Sequence, residues 1–197
     1  MANRYLYIVR HGQYDPEAAA PDSLGGGLSK LGQRQAEKTA KALKSVPISA
    51  IHYSTLRRAE QTAKPIFEAF PEARQHRAKR LWECIPHVTE DTMSMFEGFT
   101  PEELKIERQK AQSAFAHYFK GTRGKDKHEV LVAHANLIRY FVCRAMGVYP
   151  GAWLNLDSRN CGITRVRVDS DGFTMLISYN DIGHLPPGMH TDNMEDI

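Results

Sequence analysis

Five residues of this chain carry side chains suited to moving a phosphoryl group: Arg10 and His11, the adjacent pair Arg57 and Arg58, and His134. Phosphoryl transfer asks for positive charge around the equatorial oxygens and for a nucleophile in line with the leaving group. A neutral imidazole nitrogen is a competent nucleophile, and its covalent intermediate splits one hard step into two. Arg10 and Arg57 can each clamp phosphate oxygens with a planar fork, which lysine cannot form. Gly12 lets a backbone approach the phosphate closely. Taken singly, each residue has a plainer reading. A histidine at a strand end usually edges a core, an arginine at a helix start is usually a solvated surface group, and Glu83 beside Trp82 can be a paired structural carboxylate. Their joint placement, in order along the chain, sets those readings aside.

That placement depends on the elements between them. Residues 5–9 are aromatic and β-branched and read as a buried strand. The polar stretch 13–27, with Pro16, Pro21 and a run of three glycines, reads as a mobile loop. Ser29 is an N-cap for a helix through Gln33, Ala36, Ala40 and Leu43 that stops before Pro47. Residues 50–54 form a second strand, and a helix starts near Leu56 or Arg57 and runs to Phe70. Residues 81–84 are compact and apolar, with irregular chain from there to Gly98. Thr100 as N-cap, Pro101 at N1 and Glu103 at N3 open a helix to about Lys120. After a basic turn, 129–133 is a third strand, with His134 at its end, and 135–146 is a helix ended by Gly147. Residues 162–168 and 173–179 flank a turn at Asp169-Ser170-Asp171-Gly172 and read as a hairpin. The tail from Pro186 reads as polar and loosely held. Strands alternating with helices give an α/β chain with a mainly parallel sheet. Ligands collect outside the carboxyl ends of such strands, where His11 and His134 both lie.

The bulk properties fit this reading. The 197 residues suit one domain, 1–197, large enough to bury a core without disulfides or metal staples. A net charge of +3 with no long basic run argues against nucleic acid, while a small anion would not be repelled. Cys84, Cys143 and Cys161 are odd in number without a CxxC spacing, and read as free thiols of a reducing compartment. No stretch reaches the roughly 18 apolar residues of a membrane span, and residues 5–9 end at a charged Arg-His pair rather than as a signal peptide. The expectation is a cytoplasmic protein with no membrane partner.

The motifs resemble one family. Ile8-Val9-Arg10-His11-Gly12 resembles the Arg-His-Gly signature of the histidine phosphatase, or phosphoglycerate mutase-like, superfamily. The segments 28–36, 53–63 (Tyr53-Ser54-Thr55-Leu56-Arg57-Arg58-Ala59-Glu60-Gln61-Thr62-Ala63) and 132–139 (Val132-Ala133-His134-Ala135-Asn136-Leu137-Ile138-Arg139) resemble its later motifs in the same order. The nearest likeness is to the mitochondrial-type protein serine/threonine phosphatase branch, through 10–14, 134–145, 160–164 and 181–187. The branch's Leu-Arg-Glu segment reads Leu81-Trp82-Glu83 here, with Trp for Arg, and its amino-terminal anchor and multimerisation segment have no counterpart.

This resemblance implies a three-layer α/β/α sandwich around a mainly parallel sheet. It also implies a metal-independent phosphatase acting on phosphomonoesters through a phosphohistidine. His11 would be the nucleophile, Glu83 the general acid, and Arg10, Arg57 and His134 the electrostatic cage. Gln13 and Ala135 would join Arg10, His11, Arg57 and His134 around the substrate. The family arginine follows Ser54 at the distance of Arg57, which takes the phosphate contact, with Arg58 as a secondary one. The implied partner is a phosphorylated substrate, a phosphoprotein or a small phosphate ester; no cofactor is implied, and a homodimer stays open. A mutase reading is disfavoured because Gln13-Tyr14-Asp15-Pro16 replaces the mutases' Glu-Ser-x-Trp. A catalytically silent module that only binds phosphorylated ligands is disfavoured because every expected catalytic position is filled. Neither Cys84 nor Cys143 has an arginine six places on, no HExxH occurs, and 121–125 lacks P-loop spacing.

Overall fold

A computed structural model of the chain describes residues 2–15 and 24–191. Residues 16–23 of the expected loop and 192–197 of the expected tail lie outside the described residues. Six strands form one sheet in the order β3-β2-β4-β1-β5-β6. β1 (Arg4–Arg10), β2 (Ala50–Tyr53), β3 (Arg74–Arg77) and β4 (Lys127–Ala133) run parallel. β5 (Ile163–Val168) pairs antiparallel with β1 and with β6 (Thr174–Asp181), which is the expected hairpin.

β1 and β4 are central, so both of their faces are covered, which is why their sequences are near-continuous apolar runs. Successive side chains alternate in direction. Leu6 and Ile8 of β1 join Leu131, Ala133, Val166 and Val168 in one core, beneath α3 (Pro101–Tyr118) and α4 (Ala135–Met146). Val9 goes the other way, with Ile51, Val130 and Val132, beneath α1 (Lys30–Leu43) and α2 (Arg57–Ala69). The result is the three-layer sandwich expected. Each fully buried aliphatic side chain contributes about 1.5–3 kcal/mol by leaving water.

The helix ends follow their sequence signals. Ser29 Oγ accepts the Gly32 N–H to cap α1, and Thr100 with Glu103 closes a capping box on α3. Gly147 ends α4 in the left-handed region at φ 67°. Two elements differ from expectation. β3 reads Arg-Gln-His-Arg and is exposed along its length; an edge strand with no buried face carries no apolar alternation to read. Residues 186–191 are tied down rather than loose. Gln35 Nε2 donates to the Met189 carbonyl at 2.7 Å, and Thr191 Oγ1 donates to Asn160 Oδ1 at 2.7 Å.

Candidate active site

The carboxyl ends of β1 and β4 are neighbours in the sheet, Arg10 standing opposite Ala133. Residues one place further on must therefore meet, and the His11 and His134 ring centroids lie 5.0 Å apart. Both residues are buried, at 3% and 0% exposure. His11 is held on all sides. Its N–H donates to Ala133 O at 3.0 Å, and its carbonyl accepts Asn160 Nδ2 at 3.0 Å. The next N–H, of Gly12, donates to Thr62 Oγ1 at 3.0 Å. A Cβ at Gly12 would sit 2.5 Å from the Gly32 carbonyl oxygen, so only glycine lets α1 start this close to the loop.

The imidazole of His11 has a fixed tautomer. Nδ1 lies 2.8 Å from the Gly12 carbonyl oxygen; a carbonyl only accepts, so Nδ1 carries the hydrogen and Nε2 keeps its lone pair. Arg58 Nε donates to that lone pair at 3.1 Å. Burial first, then His134, Arg10 and Arg58, hold the His11 pKa well below the ordinary histidine value, against a smaller opposing pull from the Gly12 bond. Burial, Arg58 and Arg10 lower His134 in the same way. His134 Nε2 is 2.8 Å from Ser54 Oγ, at the end of β2, and its Nδ1 has no hydrogen-bond partner among the described residues.

Arg58, rather than the expected Arg57, reaches His11. The reason is helical geometry, in which residues four apart share a face. Arg58 shares its face with Thr62, whose hydroxyl bonds back to Arg58 O and accepts from Gly12, so this stripe faces the His11 loop. Arg57 shares its face with Gln61, which accepts the Leu28 N–H at 2.6 Å, and the Arg57 N–H donates to Leu24 O. One residue of register turns a side chain by 100°, which the alignment from Ser54 does not resolve.

Glu83 comes from the irregular chain after β3 and docks on the start of α4. Its carboxylate accepts the N–H groups of Cys84 (3.2 Å), Leu137 (3.3 Å) and Asn136 (3.4 Å). A carboxylate at a helix N-terminus is favourably placed, yet burial dominates and raises its pKa, with the Cys84 N–H, Arg10, the Asn136 N–H and Arg58 opposing. Arg10 is 1% exposed and donates through Nη1 to Ser158 O. Ala135 opens α4, so its N–H has no helical carbonyl to bond. Gln13 is turned away from this group: Oε1 accepts Ser29 Oγ at 2.8 Å, and its backbone N–H and O bind Gln35 and Ser29.

Ser54, Thr62 and Asn160, which position the two histidines, carried no expected role. Tyr14 also went unassigned; its ring stands edge-on to His11 at 6.1 Å, with the Arg58 guanidinium 5.3 Å from its centroid. Ser54 and Thr62 lie in the family-like segment 53–63 and Asn160 in 160–164, and Thr62 is also the fourth residue after Arg58 on a helix. No group of three or more His, Cys, Asp or Glu among the described residues is arranged to hold a metal ion.

Comparison with known proteins bears on this geometry. The model of the histidine phosphatase superfamily (branch 1) matches residues 6–117 and 89–181. The serine/threonine-protein phosphatase Pgam5, mitochondrial, of Caenorhabditis briggsae is 31% identical over 192 residues, covering 94% of this chain and 66% of the relative. The chain thus spans about two thirds of that relative's length. Among solved structures, a phosphoglycerate mutase from Plasmodium falciparum superposes with a TM-score of 0.66 at 28% identity, over 94% of this chain and 96% of that one. Bacillus stearothermophilus YhfR shares the fold, with a TM-score of 0.73 at 19% identity over 93% of this chain and all of its own. The mitochondrial relatives overturn the expected cytoplasmic location, which rested only on the lack of a visible targeting segment and on unpaired cysteines. A family model that spans nearly the whole chain, and relatives matched along 94% of it, establish that the protein belongs to the histidine phosphatase superfamily.

Proposed function

We propose that the protein is a phosphoric monoester hydrolase that works through a phosphohistidine on His11 and needs no metal. Family membership supports the hydrolase. The observation that carries the mechanism is the state of His11, a buried neutral imidazole with Nδ1–H bound to Gly12 and the Nε2 lone pair facing Arg58. An incoming phosphate replaces that single bond with guanidinium–oxygen bonds from Arg58, taking the role expected of Arg57. Arg10, a donor from Nδ1 of His134 and the Ala135 N–H complete the cage, with the arginines supplying its positive charge. Gln13, held by Ser29, supports the loop in this reading rather than the substrate.

In the first step the Nε2 lone pair attacks phosphorus, the ester P–O bond breaks, and the Glu83 carboxyl gives its proton to the departing oxygen. In the second, Glu83 carboxylate takes a proton from water, the hydroxide oxygen bonds to phosphorus, and the N–P bond returns its electrons to Nε2. Burial raises the Glu83 pKa and so favours the protonated form that the first step uses. The relatives' names make phosphoserine and phosphothreonine in proteins the substrate class, and the mitochondrion the compartment, of this reading.

The test is a rapid alkaline quench during turnover of phosphoserine and phosphothreonine peptides, with the phosphorylated residue read by mass spectrometry. Phosphate on His11, free phosphate as product and unchanged rates in chelator are expected. A His11→Ala protein that retains turnover overturns the mechanism. The likeness to a phosphoglycerate mutase supplies the second reading, which requires phosphoglycerate to be isomerised without net release of phosphate.

A further inference from the structure

At the amino ends of the strands, opposite His11, a cavity of about 330 Å³ opens between β1, β2, β3, β4 and the end of α3. Its distance from His11 is set by the seven residues of β1, roughly 20 Å at strand rise. The walls are cationic. Arg4, Arg74 and Lys120 line it, and Glu129 is the one carboxylate among its described lining residues. Arg74 and Lys120 have no acidic partner among the described residues, and three cations against one carboxylate leave two positive charges uncompensated.

The donors inside are only partly used. Glu129 lies 3.8 Å from Arg4 Nε and 3.7 Å from His52 Nε2, both beyond hydrogen-bond length. Arg4 Nη1 donates to Tyr118 O at 3.0 Å, while its buried Nε has no hydrogen-bond partner. His52 and His76 stack face to face, with centroids 4.7 Å apart and planes 16° from parallel. His117 reaches the same cavity from the last turn of α3. Charging both imidazoles at that separation is unfavourable, and an added anion beside them relieves the repulsion.

We propose that this cavity is a second anion site, taking a phosphate group as inorganic phosphate or on a small organic molecule, separate from the His11 site. The volume accommodates phosphate with a small substituent. Arg4 Nε and the Arg74 guanidinium offer planar donors for its oxygens, with Lys120 as a point charge. The reading does not depend on the catalytic one, because none of these residues belongs to the His11 group.

The histidines make the site pH-dependent with a defined sign. Burial, then His76, His117, Arg4 and Arg74, bring the His52 pKa to about 4. Burial, Arg80, Lys120 and Arg4 lower His117, opposed by Glu129. A bound anion reverses the repulsive part and raises both. By reciprocity, protonation of either ring strengthens binding of a given ionised form of the anion.

The test reads the ring C–H resonances of His52, His76 and His117 in the full chain, which separates this cavity from phosphate bound at His11. Inorganic phosphate and the non-hydrolysable phenylphosphonate are titrated against a chloride control of equal ionic strength. Saturable shifts of the three rings, larger than those in chloride, are expected, and the His52 ring should titrate at a higher pH with the ligand bound than without it. The tighter of the two ligands identifies the source of the phosphate group. Arg74 and Lys120 are exposed, so an Arg74→Ala, Lys120→Ala protein folds, and it should bind at least about tenfold more weakly with unchanged turnover. Rings that move no further with phosphate than with chloride, or a double variant with undiminished affinity, overturn the proposal.

Discussion

Two groups of histidines sit at opposite ends of one sheet, and nearly the same physics gives them different characters. At the carboxyl ends, His11 and His134 are fully enclosed, and each ring is locked by one nitrogen, to Gly12 O and to Ser54 Oγ. At the amino ends, His52 and His76 lean on each other, and Glu129 stands too far off to fix a tautomer. Burial first, then neighbouring charges, lower the pKa of His11 and His134 at one end and of His52 at the other. A lowered pKa alone therefore does not mark a nucleophile. The lock on Nδ1 of His11, which leaves a directed lone pair on Nε2, is what separates the two ends.

The sharpest way to break this comparison is at His11. Replacing it by Ala should lower kcat on the order of 10⁴-fold or more in a phosphopeptide assay, while His52→Gln should leave kcat within about twofold, since that end carries no chemistry. Next comes the choice of arginine. Arg58→Ala should cost about 10²–10³-fold in kcat, as loss of a charge-stabilising donor does, and Arg57→Ala far less; equal losses would return the phosphate contact to Arg57. Glu83→Gln should cost about 10²–10⁴-fold with an alkyl phosphate and much less with a good leaving group.

The pH profile follows from the same groups. Activity should be lost on the acid side as His11 gains a proton, at a pH well below 6.5, because its folded pKa is lowered. It is lost on the alkaline side as Glu83 gives up its proton, above the usual carboxylate range, because its folded pKa is raised. Glu83→Gln should abolish the alkaline limb alone. The smallest effect concerns stability. The folded pKa of His52 is about 4 against 6.5 in the unfolded chain, so between those values the unfolded state binds more protons and stability falls as pH drops. His52→Gln should remove on the order of 2 kcal/mol of that acid sensitivity, read from urea midpoints in phosphate-free buffer.

The central strands and capped helices were legible because local signals and burial agree there: β1 and β4 are apolar on both faces, and Ser29 and Thr100 sit before their helices. The meeting of His11 with His134 was legible because both stand at the carboxyl ends of strands. Arg58 was not, since its direction depends on which residue begins α2. β3 was invisible because an exposed edge strand has no apolar pattern. Asn160 and Ser54 act through single hydrogen bonds across 149 and 80 residues of sequence, and no local pattern encodes such pairings.

Two of those bonds join end to end. Thr191 holds Asn160, and Asn160 holds the His11 carbonyl, so the segment after β6 is a leash on His11. Protease clipping near residue 186, or a bulky label at Thr191, would slacken that leash without removing a core residue. The outcome to look for is a protein that melts at nearly the same temperature and turns over more slowly, which makes the segment a place to tune the catalyst while sparing the scaffold.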